Sequence, residues 1–166
     1  MLQVIKAGLN DLPVIEQLAH ATWPDAYGKI LSPEQLSYML KLIYSNSSLA
    51  NQVENLQHHF IIVKENEEAV GFASYSPKQQ NNKKVFRLHK LYVLPNQQGK
   101  GTGKFLLNFI ITEIKESGAE ILELNVNRHN KAFYFYRKNG FTISREEDID
   151  IGSGYFMNDY VMEKPL

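Results

Sequence analysis

The segment Gln98-Gly99-Lys100-Gly101-Thr102-Gly103-Lys104 sets three glycines at alternate positions, after an apolar run ending at Pro95 and before a helical pattern. Glycines at this spacing let the backbone turn so that successive N–H groups converge on one point. A helix N-terminus behind them adds its own unsatisfied amides. Such an arrangement binds an anion, and Lys100 and Lys104 would add charge to it.

Spacing separates the known anion-binding motifs. The phosphate loop of nucleotide hydrolases needs four residues between its glycines and Ser or Thr after its Lys, whereas Phe105 follows Lys104. The dinucleotide fingerprint shares Gly99-x-Gly101, with Glu120 and Glu123 about 20 residues on, but Lys104 replaces its third glycine. A third pattern, Gln98-x-x-Gly101-x-Gly103, resembles the pyrophosphate loop of the GCN5-related N-acetyltransferases (GNAT).

Two further segments carry the same resemblance. Arg87 to Pro95 is similar to the family's fourth strand, which splays from its neighbour and offers backbone groups of Leu91, Tyr92 and Val93 to pantetheine. Asn125 to Phe141 is similar to its fifth strand, the following helix and the Gly140-Phe141 turn. The resemblance implies an α/β (α+β) GNAT fold: a mixed, mostly antiparallel, twisted sheet of six to seven strands, helices on both faces, and a splay between strands 4 and 5. It implies acetyl-CoA as cosubstrate, held by Leu91, Tyr92, Val93, Gln98, Gly99, Lys100, Gly101, Thr102, Gly103, Lys104, Asn130, Phe133, Tyr136 and Lys138. Tyr136 would be catalytic, donating a proton to the departing thiolate. His129 is the alternative to Asn130, since some relatives carry one more residue before the Tyr. Taken singly, each piece has a plainer reading: Gly140 as a helix C-cap, Tyr136 as a packed aromatic, the glycines as a tight turn.

The general base stays open. Relatives place a Glu on strand four or strand five; the aligned residues here are Arg87 and Asn125, leaving Glu123, or a water chain ending at a carboxylate or His89. His58-His59 has no partner at metal-ligand spacing, so no metal is expected.

The acceptor is read from two features. Thr22 to Gly28, Ser32 to Leu40, Tyr44-Ser45 and Asp159 to Lys164 resemble the PaiA-type bacterial spermidine/spermine acetyltransferases. Glu146-Glu147-Asp148-Ile149-Asp150, placed between the last two strands, would attract a polycation or would simply be a solvated hairpin tip. A polyamine or similar small amine is therefore the expected partner. The alternatives are a protein N-terminus, as in the ribosomal-protein acetyltransferases, and acyl-CoA sensing without turnover.

The elements that position these residues follow from pattern. At 166 residues, 43% hydrophobic and 22% charged, one domain spanning 1–166 is expected. Lys+Arg and Asp+Glu both number 18, which argues against nucleic acid as partner. The absence of Cys suits a cytoplasmic setting, and no signal peptide or membrane span is read at Met1 to Lys6. The resemblance further implies a homodimer, since exposed strands and helices of that fold often pair two chains.

Leu2–Lys6 reads as a strand, and Asn10 or Asp11 as the cap of a helix carrying Ile15, Leu18 and Ala19 before a loop at Trp23–Gly28. Ser32 caps a second helix with a stripe of Leu36, Met39, Leu40 and Ile43, and a short helix runs to about Leu56. Strands follow at His59–Lys64, Ala69–Tyr75 and Val85–Leu94, with Pro77–Lys84 as a polar loop. A helix with Leu106, Leu107, Ile110, Ile111 and Ile114 ends near Gly118. Thr142–Arg145 and Tyr155–Met162 form the last strand pair.

Overall fold

The computed structural model describes residues 1–79 and 81–166. In chain order it contains β1 (Leu2–Lys6), a 3₁₀ turn (Leu9–Asp11), α1 (Leu12–Tyr27), α2 (Pro33–Tyr44), α3 (Asn46–Glu54), β2 (His59–Glu65), β3 (Glu68–Gln79) and β4 (Asn82–Val93). Then come α4 (Thr102–Glu116), β5 (Ile121–Asn127), α5 (Ala132–Lys138), β6 (Thr142–Gly152) and β7 (Tyr155–Pro165). The strands make one sheet in the order β1-β2-β3-β4-β5-β7-β6. Every neighbouring pair is antiparallel except β4 and β5, whose parallel pairing requires a crossover, and α4 supplies it.

Each face of the sheet carries its own apolar core. Leu106, Leu107, Ile110 and Ile114 of α4 pack with Phe86, Leu88, Leu122, Leu124 and Val126. On the other face Ile15, Leu18, Ala19 and Trp23 of α1 meet Met39, Leu40 and Tyr44 of α2 over Phe60, Ile62 and Phe72. Ser32 caps α2 as its sequence demands, its hydroxyl accepting from the Gln35 amide at 3.1 Å.

The parallel ladder is short. It joins Val85 to Ile121 through Leu88 to Leu124 and stops. Beyond Leu88, β4 continues to Val93 paired with β3 alone, so its other edge is open where β5 departs. The expected splay between strands 4 and 5 is present. A β-bulge marks its start: Tyr75 faces Leu88 and Ser74 faces Lys90, which leaves His89 as the extra residue. Because of it, Leu88 and Leu91 both point to the α4 face, while Lys90 and Tyr92 point to the α1–α2 face.

Several sequence expectations need correction. Trp23–Gly28 is not a loop; α1 runs through Pro24 to Tyr27. A proline near a helix end removes few backbone bonds, and Trp23 and Tyr27, one turn apart and both buried, hold the last turn against the core. Asp11 makes no side-chain cap to α1; its carboxylate accepts from the Gly8 amide at 2.8 Å. In α2 the fully buried residues are Met39, Leu40 and Tyr44, with Leu36 and Ile43 only partly covered. The third helix ends at Glu54.

The loop expected at Pro77–Lys84 is mostly strand, β3 reaching Gln79 and β4 starting at Asn82; Gln80 lies outside the described residues. The acidic run is not a connection either. Residues 146–150 lie within β6, where Glu147, Ile149 and Ile151 share one face and Glu146, Asp148 and Asp150 the other.

Candidate active site

A crevice occupies the splay, bounded by Leu88, Lys90, Leu91 and Tyr92 of β4, Leu124 and Asn125 of β5, Tyr27 of α1, and Asn130 and Tyr136 around α5. Local chemistry fixes this wall. The Asn127 side chain accepts from the His129 amide at 2.9 Å, and that of Asn130 accepts from the Ala132 amide at 2.9 Å. These asparagine turns stop β5 and start α5 within five residues. Gly140, at φ +92°, closes the helix, and buried Phe141 packs edge-on to Tyr136 at 5.5 Å.

Tyr136 is therefore held rigidly with its ring almost wholly buried. Burial raises its phenol well above the usual tyrosine value, and Tyr27 nearby adds to the rise. The hydroxyl keeps its proton at neutral pH, on a residue that lines the crevice. Around it lies an aromatic cluster: Tyr27 and Tyr92 share a 3.0 Å hydrogen bond between hydroxyls, and the Trp23 indole donates to the Tyr44 hydroxyl at 3.1 Å.

The glycine segment stands where α4 begins. Gly99 and Gly101 have φ of +80° and +83°, a conformation that favours glycine. Among the described residues, the amides of Gly101, Thr102, Gly103 and Lys104 find no acceptor, and Lys100 and Lys104 make no ion pair. Free amides, a helix N-terminus and two uncommitted lysines are what a pyrophosphate requires. Gly103 differs from the other two. It is helical, and a Cβ there would meet Phe135 and Leu91 at an ordinary 3.6 to 3.7 Å. The loop is anchored from below: buried Thr102 donates to the Gln97 side chain at 3.0 Å, and Gln97 donates to Glu65 at 2.7 Å. Gln98 donates to Asp25 of α1 at 2.9 Å.

The structure thus gathers Leu91, Tyr92, Asn130 and Tyr136 at the crevice and Gln98–Lys104 at the α4 N-terminus. Val93 packs into the α4-side core. Phe133 packs on Tyr160, and Lys138 is exposed at the end of α5; neither lines the crevice. Of the base candidates, Glu123 sits on the closed part of the ladder, with Lys78 Nζ at 2.9 Å and Arg87 Nη1 at 3.4 Å. His89 lines the crevice, shares a 2.7 Å hydrogen bond with Ser76 and stacks on His58 at 3.8 Å. Burial, then the neighbouring His58, Lys90 and Arg87, push His89 down to about 2, so it is neutral. No group of three or more His, Cys, Asp or Glu suited to a metal occurs among the described residues.

Sequence reasoning missed Tyr27, Lys90 and Asp159. Lys90 is buried, its ammonium donating to Gln52 at 2.7 Å and lying 5.3 Å from the Phe60 ring centre; burial lowers it to about 7. Asp159 occupies an inward strand position between buried Met157 and Val161, a pattern that a search for acids at apolar positions would find.

A family model for the acetyltransferase (GNAT) domain matches residues 29–157. The chain belongs to the GNAT acetyltransferases. This GNAT enzyme uses acetyl-CoA as its acyl donor. It is 31% identical to the spermidine N(1)-acetyltransferase of Thermoplasma acidophilum, over 98% of this chain and 96% of the relative. It is 35% identical to the ribosomal protein bS18-alanine N-acetyltransferase of Haemophilus influenzae, over 93% and 85%. The crystal structure of PaiA N-acetyltransferase from Thermoplasma acidophilum in complex with coenzyme A superposes with a TM-score of 0.84 at 27% identity, covering 100% of this chain and 99% of that one.

Proposed function

We propose that the enzyme acetylates a primary amine of the polyamine class by direct attack within a ternary complex. The observation that carries this reading is a pair of carboxylates bonded to the crevice residue Asn125. Asp159 and Glu147 face each other across β7 and β6, and both accept from the crevice residue Asn125, at 3.3 and 3.4 Å. Two acids beside the reaction centre suit a substrate bearing several ammonium groups. Arginines offset part of this charge, Arg145 pairing with Glu147 and Arg128 with Glu146 and Asp148, and Asp159 alone of these makes no ion pair among the described residues. Likeness to a spermidine acetyltransferase along nearly the whole chain supports the same acceptor.

In this reading the Gln98–Lys104 segment holds the pyrophosphate of acetyl-CoA. The open edge of β4 at Leu91 to Val93 accepts pantetheine, and a backbone N–H of that edge polarises the thioester carbonyl. Tyr136 donates its proton to the sulfur as the thiolate leaves. Holding both reactants in the crevice supplies much of the rate.

Acetylation of a protein N-terminus is the second reading, favoured by the ribosomal-protein relative. Coenzyme A release measured in parallel with spermidine, spermine, simple diamines and a basic N-terminal peptide separates the two. Saturable turnover of polyamine is expected; turnover of peptide alone would move the acceptor.

A further inference from the structure

Asp159 is a buried carboxylate that makes no ion pair among the described residues. It is 6% exposed. Its Oδ2 accepts from Asn125 Nδ2 at 3.3 Å, while its Oδ1 is fully enclosed and has no hydrogen-bond partner among the described residues. The charged groups around it are committed elsewhere. Arg128 of the β5–α5 turn offers its Nε only to the main-chain oxygen of Asp159 at 3.4 Å, and its guanidinium goes to Glu146 and Asp148. Arg87 of β4 is bonded to Glu123 and to the Asn125 oxygen. Glu147 of β6 is held by Arg145 at 2.8 Å. From α1, the Tyr27 phenol feels the Asp159 charge, which helps to keep it protonated.

An uncompensated buried carboxylate is costly, and the fold could satisfy this inward position with an apolar residue. The group instead bonds Asn125 and its charge is felt at Tyr27, two residues that line the crevice. We propose that Asp159 is the general base of the reaction, taking the proton from the acceptor ammonium at Oδ2, the oxygen on the side of the crevice residue Asn125. This rests on the acetyl-transfer reading above and supplies the base that Glu123 and His89 do not.

The proton balance closes. The R–NH₃⁺ group gives one proton to Asp159, directly or through one bridging water, and becomes R–NH₂. Its lone pair forms the N–C bond to the thioester carbonyl. The C–S bond then breaks, with the Tyr136 proton passing to sulfur and the second amine proton returning to the Tyr136 oxygen. Asp159 releases its proton to solvent. Burial, with Glu147 adding, holds its carboxyl above the usual aspartate range, while Asn125, Arg128 and Arg87 work against the rise. That direction brings its proton affinity nearer to the working pH, as a base requires.

The test is Asp159→Asn, which keeps the shape and the Asn125 contact. The expected result is a fall in kcat/KM of about 10²–10⁴-fold with the best acceptor and an unchanged KM for acetyl-CoA. The acid limb of the kcat/KM pH profile should vanish, and Asp159→Glu should restore a limb. A uniform loss with the limb intact would reduce Asp159 to a structural residue and overturn the proposal. A second readout needs no turnover: carboxyl-carbon NMR of the whole protein with coenzyme A. The resonance that disappears in Asp159→Asn should titrate above the ordinary aspartate range and shift on adding spermidine. Titration in the ordinary range, or a resonance that neither spermidine nor the N-terminal peptide moves, would also overturn it. A wild type silent towards every amine would defeat the acetyl-transfer reading itself, and the carboxyl titration would still decide whether Asp159 meets an ammonium.

Discussion

Burial changes what a side chain can do at the splay, and it does so differently for each residue. Tyr136 keeps its proton because its ring is enclosed, so Tyr136→Phe should lower kcat by about 10²–10⁴-fold while leaving acetyl-CoA affinity unchanged, as calorimetry would show. An equal rate would remove Tyr136 from the mechanism. Lys90 is pushed the other way, and its effect is on stability. Its value falls from 10.5 to about 7 in the folded protein. Between these two values the unfolded chain binds a proton that the folded one does not, so stability should rise with pH across that window. At pH 7 and below, the full penalty, on the order of a few kcal/mol, is present. Lys90→Met should therefore remove the rise in Tm expected for wild type between pH 7 and 9.5, and equal slopes for the two proteins would refute this. Tyr136 was legible in the sequence because it sits in a motif. Lys90 and Asp159 were not, since a charged residue on a strand ordinarily marks a solvated face and only the packing of α1–α3 and β5–β7 reverses it.

Elements were legible where local chemistry decides them. Ser32-Pro33 starts α2, and the glycines precede α4, for reasons contained in a few residues. Where tertiary contact decides, pattern misled: α1 absorbs Pro24 because Trp23 and Tyr27 are buried, and the acids of residues 146–150 hide a strand alternating with Ile149 and Ile151. The glycine segment itself divides into unlike positions. Gly101→Ala should cost about 1–2 kcal/mol, because φ of +83° is left-handed although nothing crowds the site. Gly103→Ala should be neutral or stabilise by up to about 1 kcal/mol, since the residue is helical and its new methyl would touch Phe135 and Leu91 at normal distance. Urea unfolding of both variants checks the opposite signs; a shared sign would mean that the segment is strained as a unit.

At the scale of the molecule, the two ends of the acceptor side belong to distant parts of the chain. The Tyr38 hydroxyl of α2 donates to the Ile151 carbonyl at 2.9 Å, and Gln35 donates to the Phe156 carbonyl at 3.1 Å, docking α2 onto the β6–β7 hairpin. The hairpin approaches so closely that a Cβ on Gly152 would come within 2.7 Å of the Tyr38 hydroxyl. Tyr38→Phe should cost about 1 kcal/mol and raise KM for the amine while sparing KM for acetyl-CoA. A matching rise in both would mean that the hairpin serves the fold as a whole. The order of the two sequence signatures was enough to anticipate the sheet and its splay; this long-range docking had no local signal.

The bulge at His89 has a consequence for how the two substrates are kept apart. A strand alternates its side chains like a two-stroke cycle, and one added residue delays the cycle by half a period. Before the delay, Phe86 and Leu88 serve the α4 core; after it, Leu91 and Val93 do so, while Lys90 and Tyr92 turn to the opposite side. Were the bulge straightened, with His89 taken into the regular ladder, the downstream half of β4 would fall out of phase with the upstream half. Leu91 and Val93 would turn to the α1–α2 face and Tyr92 to the α4 face, so the two walls of the crevice would change places with every residue retained.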